Sequence, residues 1–103
     1  MTESEITSEQ LIRGKINSET AKMRWKELQR YFAGGYTLEV DTQLDLVEVA
    51  YQMQQDNTEQ IERWMNEQMI RQVSNDLARE WFKNDTELWA CVIKPWVLIQ
   101  PCD

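Results

Sequence analysis

The period of the apolar positions changes along this chain, and each change predicts an element boundary. After Ser8, the residues Ile12, Ile16, Thr20 and Met23 fall within roughly 80° of one another at helical pitch, which predicts a helix with one narrow apolar stripe. Trp25, Leu28 and Phe32 fall on the opposite side of the same wheel. One straight helix cannot bury both sets. The spacing therefore predicts a break or sharp kink near Arg24, and a second helix closed at Gly34-Gly35, where a left-handed residue is tolerated.

Residues 36–40 alternate and combine an aromatic with β-branched side chains, which predicts a short strand. Asp41 or Thr42 suits the N-cap of a helix reaching about Gln55, with Asp45 in its first turn, where the macrodipole favours an anion. Leu44, Leu46, Val47, Val49, Ala50, Tyr51 and Met53 cover most of its circumference, so burial on several sides is expected. Asp56-Asn57 breaks it, and Thr58 caps an amphipathic helix with Ile61, Trp64, Met65, Gln68 and Met69 on one stripe. Its solvated face is Glu59, Glu62, Arg63 and Glu67. Residues 69–73 read as a brief strand, and Ser74 or Asn75 opens a helix bearing Leu77, Ala78, Trp81 and Phe82, stopped at Asn84-Asp85.

Residues 88–101 form the most apolar stretch, and their β-branched content predicts strand. Pro95 removes a ladder donor, so either two strands meet at Lys94-Pro95 or one strand bends there at a sheet edge. Trp89, Cys91 and Ile93 share one face and Leu88, Ala90 and Val92 the other. Both faces are apolar, so both are covered or one is offered to a partner. The expected class is α+β: a flexible stretch over 1–7, then one globular domain over 8–103 with four or five helices on a small sheet from 36–40, 69–73 and 88–100.

Composition narrows the chemistry. At 103 residues there is room for one core and no second domain. The chain has five tryptophans and no histidine. Without imidazole, Ser-His-Asp and Cys-His nucleophile activation, acid–base work near neutral pH and the usual His-containing zinc and iron sites are excluded. Carboxylates, Lys, Tyr, Ser and Cys remain. Cys91 and Cys102 have neither CxxC spacing nor a further thiol to complete a metal site. The acidic start lacks the basic and apolar regions of a signal peptide, which points to a cytoplasmic protein with reduced thiols. The longest apolar run is too short to span a bilayer and is broken by Lys94 and Pro95, so no membrane partner is expected. EF-hand, P-loop, dinucleotide and nucleophile-elbow motifs are absent, and no catalytic residue, metal ligand or cofactor is assigned.

The net charge of −7 is unevenly spread. Over residues 13–38, Arg13, Lys15, Lys22, Arg24, Lys26 and Arg30 against Glu19 and Glu27 leave +4, whereas residues 39–103 carry −8. Such asymmetry suits internal electrostatic pairing, head-to-tail pairing with another copy, or an acidic partner. Nucleic acid is disfavoured by the overall negative charge and the lack of a recognised motif.

The tryptophans are candidate anchors, since an indole buries a large apolar area while its N–H seeks an acceptor. Trp64 and Trp81 sit in helical stripes and read as core, whereas Trp89 and Trp96 lie on the doubly apolar C-terminal strands. Trp25 beside Arg24 at the helix break could clamp an anion or stack on a planar ligand; alternatively, Trp25 fills the core and Arg24 pairs with a carboxylate such as Asp45 or Glu48. Asp45 and Glu48 project from one helix face with Asp41 at its mouth, the least that a hard cation would accept, although capping explains the same residues.

Three segments carry a family resemblance. Arg24-Trp-Lys-Glu-Leu-Gln-Arg-Tyr-Phe-Ala-Gly-Gly, Val40-Asp-x-x-Leu-Asp-Leu-Val-Glu-Val-Ala, and Leu88-Trp-Ala-x-Val-x-x-Pro-Trp-Val-Leu-Ile-Gln together resemble a bacterial family known only as domain of unknown function 2288. The resemblance spans about residues 10–101 and implies a small bacterial cytosolic protein, with no reaction, ligand or functional residue to carry over. The reading that follows is a non-enzymatic interaction or regulatory module, assembling through a Trp-bearing edge with itself or another protein. The alternative is a small-ligand binder or carboxylate-dependent enzyme with a pocket at Arg24, Trp25, Asp45 and Glu48.

Overall fold

Two apolar faces on one helical wheel demand a break at Arg24, and the chain makes it by crossing a sheet. In a computed structural model describing residues 7–102, the first helix, α1, spans Ser8–Glu19. Thr7 and Gln10 close it with a capping box, each side chain accepting from the other's backbone N–H. The expectation for residues 1–6 lies outside the described residues. Residues read as the last helical turn instead form strand β1, Ala21–Arg24, and helix α2, Trp25–Ala33, follows at once. The strand wins locally because it satisfies a neighbouring strand's hydrogen bonds and inserts Met23 against a core, gains that helical spacing does not register.

The remaining elements are β2 (Thr37–Val40), α3 (Leu46–Gln54), α4 (Thr58–Asn66), β3 (Ile70–Gln72), α5 (Asn75–Asn84), β4 (Glu87–Ile93) and β5 (Trp96–Pro101). The fold is α+β, and the described residues form five helices on a five-stranded sheet ordered β1-β4-β5-β2-β3. Lys94-Pro95 joins β4 and β5 into an antiparallel hairpin, so the two-strand alternative holds. β5 also pairs parallel with β2, whose far side takes β3 antiparallel. Being central, β5 is buried on both faces: Leu98 enters one core, Val97 and Ile99 the other.

Those cores explain the wheel. Ile16 of α1 joins Leu38, Val40, Leu46, Val49, Ala50, Ile70, Cys91 and Leu98 on one side of the sheet. Trp25 and Leu28 of α2 join Ala78 and Trp81 of α5 with Leu88 and Ala90 on the other. Trp25 is fully enclosed at 0% exposure, tilted against Phe32 (centroids 5.6 Å apart) and Trp81 (5.2 Å). As expected from β4's alternation, Cys91 and Ala90 go to opposite cores.

Caps shift some boundaries. Asp45, expected inside the first turn of α3, is its N-cap, accepting from Val47 N at 2.9 Å; Asp41 instead closes a turn by accepting from Gln43 N. The loop between them is pinned to β5 by Gln100, whose side-chain amide donates to Asp41 O and Leu44 O. Asn57, one residue before Thr58, caps α4. Ser74 caps α5, and left-handed Asp85 ends it. Gly35 (φ 82°) ends the α2 turn, where Tyr36 N donates to Tyr31 O. At the outer edge, Arg71 of β3 forks onto Glu39 of β2, Nε and Nη2 donating at 3.2 and 3.1 Å.

Removing the Trp25 ring leaves a cavity under α2, so Trp25→Ala should cost about 3–5 kcal/mol of unfolding free energy, and Gly35→Ala about 1–2 kcal/mol through its left-handed backbone. Urea denaturation monitored by circular dichroism measures both, and near-unchanged midpoints would contradict this packing.

Candidate functional site

The layer that holds α1 and α3 runs out of sheet at α4. This helix has the apolar stripe expected from its sequence, yet none of its residues is fully buried. Ile61 and Trp64 rest half-buried against the α3 core, while Met65 remains 39% exposed. The uncovered part of the stripe forms one wall of an open groove of about 200 Å³. Met53, from the last turn of α3, and Trp96, from the start of β5, provide other walls, and Leu38 of β2 lies among the lining residues. Asp56, Asn57, Thr58 and Glu62 supply its polar rim. Tyr36, 44% exposed, meets Trp96 edge-on with ring centroids 6.2 Å apart. Gly34 accommodates that tyrosine: a Cβ there would come within 2.9 Å of the Tyr36 ring.

The sequence candidates scatter. Trp96 lines this groove. Trp89 (36% exposed, Lys22 Nζ 5.2 Å from its ring) and Asp45 meet in a separate shallow cleft with Asn17, Thr20, Leu46 and Gln100. The four-residue pocket at Arg24, Trp25, Asp45 and Glu48 does not form, because Trp25 lies under α2 on one face of the sheet while Asp45 and Glu48 belong to α3 on the other. Nor does Arg24 pair with Asp45 or Glu48. It reaches Asp85 at 3.6 Å, since β1 carries it beside the α5–β4 turn. Trp81 is core as expected, but Trp64 is only partly covered, because α4 sits at the margin.

Glu48 is committed to Arg13. The Arg13 guanidinium donates to Glu48 Oε1 and, at 2.8 Å, to Glu9, and stacks 4.1 Å over the Tyr51 ring. Gln52 donates to the other Glu48 oxygen at 2.7 Å. The Arg13 hydrogen bond, then that from Gln52, hold the Glu48 carboxyl below its ordinary range; Glu48 in turn raises Arg13. Burial pushes the Cys91 thiol up, which disfavours the thiolate. Among the described residues, no three His, Cys, Asp or Glu side chains converge to hold a metal, and no helix is long and apolar enough to cross a membrane. Geometry of this kind suits docking of apolar groups. Pattern alone does not mark Met53, Ile61 and Met65 as surface, since a helical apolar stripe normally reads as core, nor Tyr36, which opens a segment that reads as strand.

The profile of a family described as proteins of unknown function, DUF2288, matches residues 11–101. The chain belongs to this family. The solution NMR structure of PA1075 from Pseudomonas aeruginosa is similar to this DUF2288 chain, with 39% identity, a TM-score of 0.78, and coverage of 100% of this chain and 94% of that one. Comparison with curated proteins yields no match.

Two outcomes check the electrostatics and thiols of this DUF2288 chain. Glu48's pKa is depressed by folding, so its contribution is present above the unfolded value near 4.5 and is lost as pH falls through the folded one. Glu48→Gln should therefore lower the urea midpoint at neutral pH, with the gap to wild type closing in acid; a gap undiminished at low pH would refute the assignment. Toward a thiol reagent under native conditions, half-buried Cys102 should react first and Cys91, 2% exposed, only on unfolding.

Proposed function

We propose that this protein is a non-enzymatic interaction module that docks a partner in the groove between α3, α4 and the start of β5. One observation carries the reading: the α4 stripe, built to be covered, leaves Met65 open to solvent beside Met53, Ile61 and Trp96. An apolar groove rimmed by polar groups is the usual form of a binding surface, and paired methionines adapt to an incoming side chain through their flexible, polarisable thioethers. A space of about 150 Å³ admits a benzene ring. The groove of about 200 Å³ thus accepts one large apolar side chain. The scattering of Arg24, Trp25, Asp45 and Glu48 weakens the carboxylate-enzyme alternative. Two free cysteines support the cytoplasmic, reducing setting that we also propose, and the Pseudomonas relative supports a bacterial one.

A photo-crosslinking residue placed at Met65 in living cells tests this. Discrete adducts should form there, disappear when Trp96→Ala or Ile61→Asp is added, and be missing from the same residue placed at exposed Glu80 on α5. Equal labelling at both positions would overturn the reading.

A further inference from the structure

The rim of the groove has a sign. Asp56 and Glu62 line it, and Glu59, Glu62 and Glu67 share the adjoining exposed surface of α4 with a single cation, Arg63. Arg63 turns toward Gln60, with Nη1 3.4 Å from Oε1. Arg71, next along the chain, is held by Glu39, Asp41 and the Gln68 carbonyl. Lys94 in the hairpin turn borders the other side of Met53. The apolar opening is thus bordered along α4 by carboxylates, on a chain whose net charge is −7.

We infer that the occupant is a basic amphipathic segment of another protein, with one large apolar side chain in the groove and Lys or Arg groups flanking it. The inference rests on the proposed docking function and adds the chemistry of the partner. Two features select it. The Met53, Ile61, Met65 and Trp96 walls gain from removing an apolar anchor from water, and that gain is independent of charge. The carboxylates then discriminate: cations beside the anchor meet Asp56 and Glu62 at the rim and Glu59 on the adjoining surface, whereas an acidic segment, a nucleic acid or an anionic lipid surface is repelled. Rim charges stay partly solvated, so their effect appears in selectivity and salt dependence more than in the apolar contact itself.

The test uses the full chain with isotope-labelled methionine methyls and tryptophan indoles, and three short synthetic amphipathic peptides of equal length: Leu/Lys, Leu/Gln and Leu/Glu. The Leu/Lys peptide should shift the Met53, Met65 and Trp96 signals and leave Trp89 in place, with the Leu/Glu peptide inert. Glu59→Lys with Glu62→Lys, both on the exposed face of α4, should weaken Leu/Lys binding about tenfold. The charge-matched Glu27→Lys with Glu80→Lys, on the other two-helix face, should change it less than about twofold. If Leu/Gln binds as tightly and ignores the rim reversal, the inferred charge of the partner is wrong while the docking groove stands. If the groove signals instead shift with protein concentration alone, the occupant is a second copy, and the inference falls. If no peptide moves them and the Met65 crosslinker also captures nothing, both the inference and the docking function fail.

Discussion

The central strand β5 must be dry on both sides, and most of the architecture follows from that requirement. Its neighbour β4 shares the condition, with Leu88 and Ala90 facing one core and Cys91 the other, while β2 gives Leu38 and Val40 to the core of Cys91 and turns buried Thr37 and Glu39 to the opposite face. A sheet with two apolar faces needs helices on each, so a chain of 103 residues must pass from one face to the other at least once. β1 makes that passage. It places α1 with its Ile16 on one side and delivers α2, led by Trp25, to the other, while extending the sheet with one more ladder. Trp25 N then donates to Thr86 O at 2.8 Å, fastening the start of α2 to the residue that leads into β4.

The same requirement produces the groove. On the side of α1 and α3, the helices cover the sheet's middle, and α4 is left at the margin over the short edge strand β3. There its stripe finds a partial floor. Trp64 and Ile61 rest on the core edge, but Met65 has nothing above it. On the opposite face, α2 and α5 pack over Trp25 and Trp81, and the cleft between them, lined by Gln29, Phe32, Arg79 and Phe82, lacks the carboxylate border of α4. Exposure of an apolar stripe is thus a consequence of helix placement relative to sheet width, and the acidic outer face of α4 gives that exposure a charged border.

Much of this was legible in one dimension. The strands at 36–40 and 69–73, the interruption at Lys94-Pro95, the helix closing at Gly34-Gly35 and the helix stopped by Asp85 rest on local chemistry: alternation, turn residues and left-handed positions. That the interruption is a hairpin and not a bend is fixed by the pairing of β4 with β5. The places where local reading went astray share a cause. Ala21–Arg24 carries a helical apolar spacing, and only the unpaired edge of β4, more than sixty residues later, makes strand the better outcome. Asp41 and Asp45 are both competent caps, and the Gln100 bonds that pin the intervening loop decide between them. Arg24 and Glu48 each wanted an opposite charge, but their partners Asp85 and Arg13 were chosen by which elements became neighbours.

From the amino-acid order alone came the class, the helical and extended segments, the two-sided C-terminal strands and the exclusion of histidine chemistry, because propensity, periodicity and side-chain inventory act within a few residues of each position. Tertiary structure alone decided which tryptophans are sealed, which charges meet, and that the Met65 end of an ordinary amphipathic stripe stays open. Burial is a property of the space between elements, and a stripe's periodicity records only that it needs a cover, never whether the rest of the chain is wide enough to provide one.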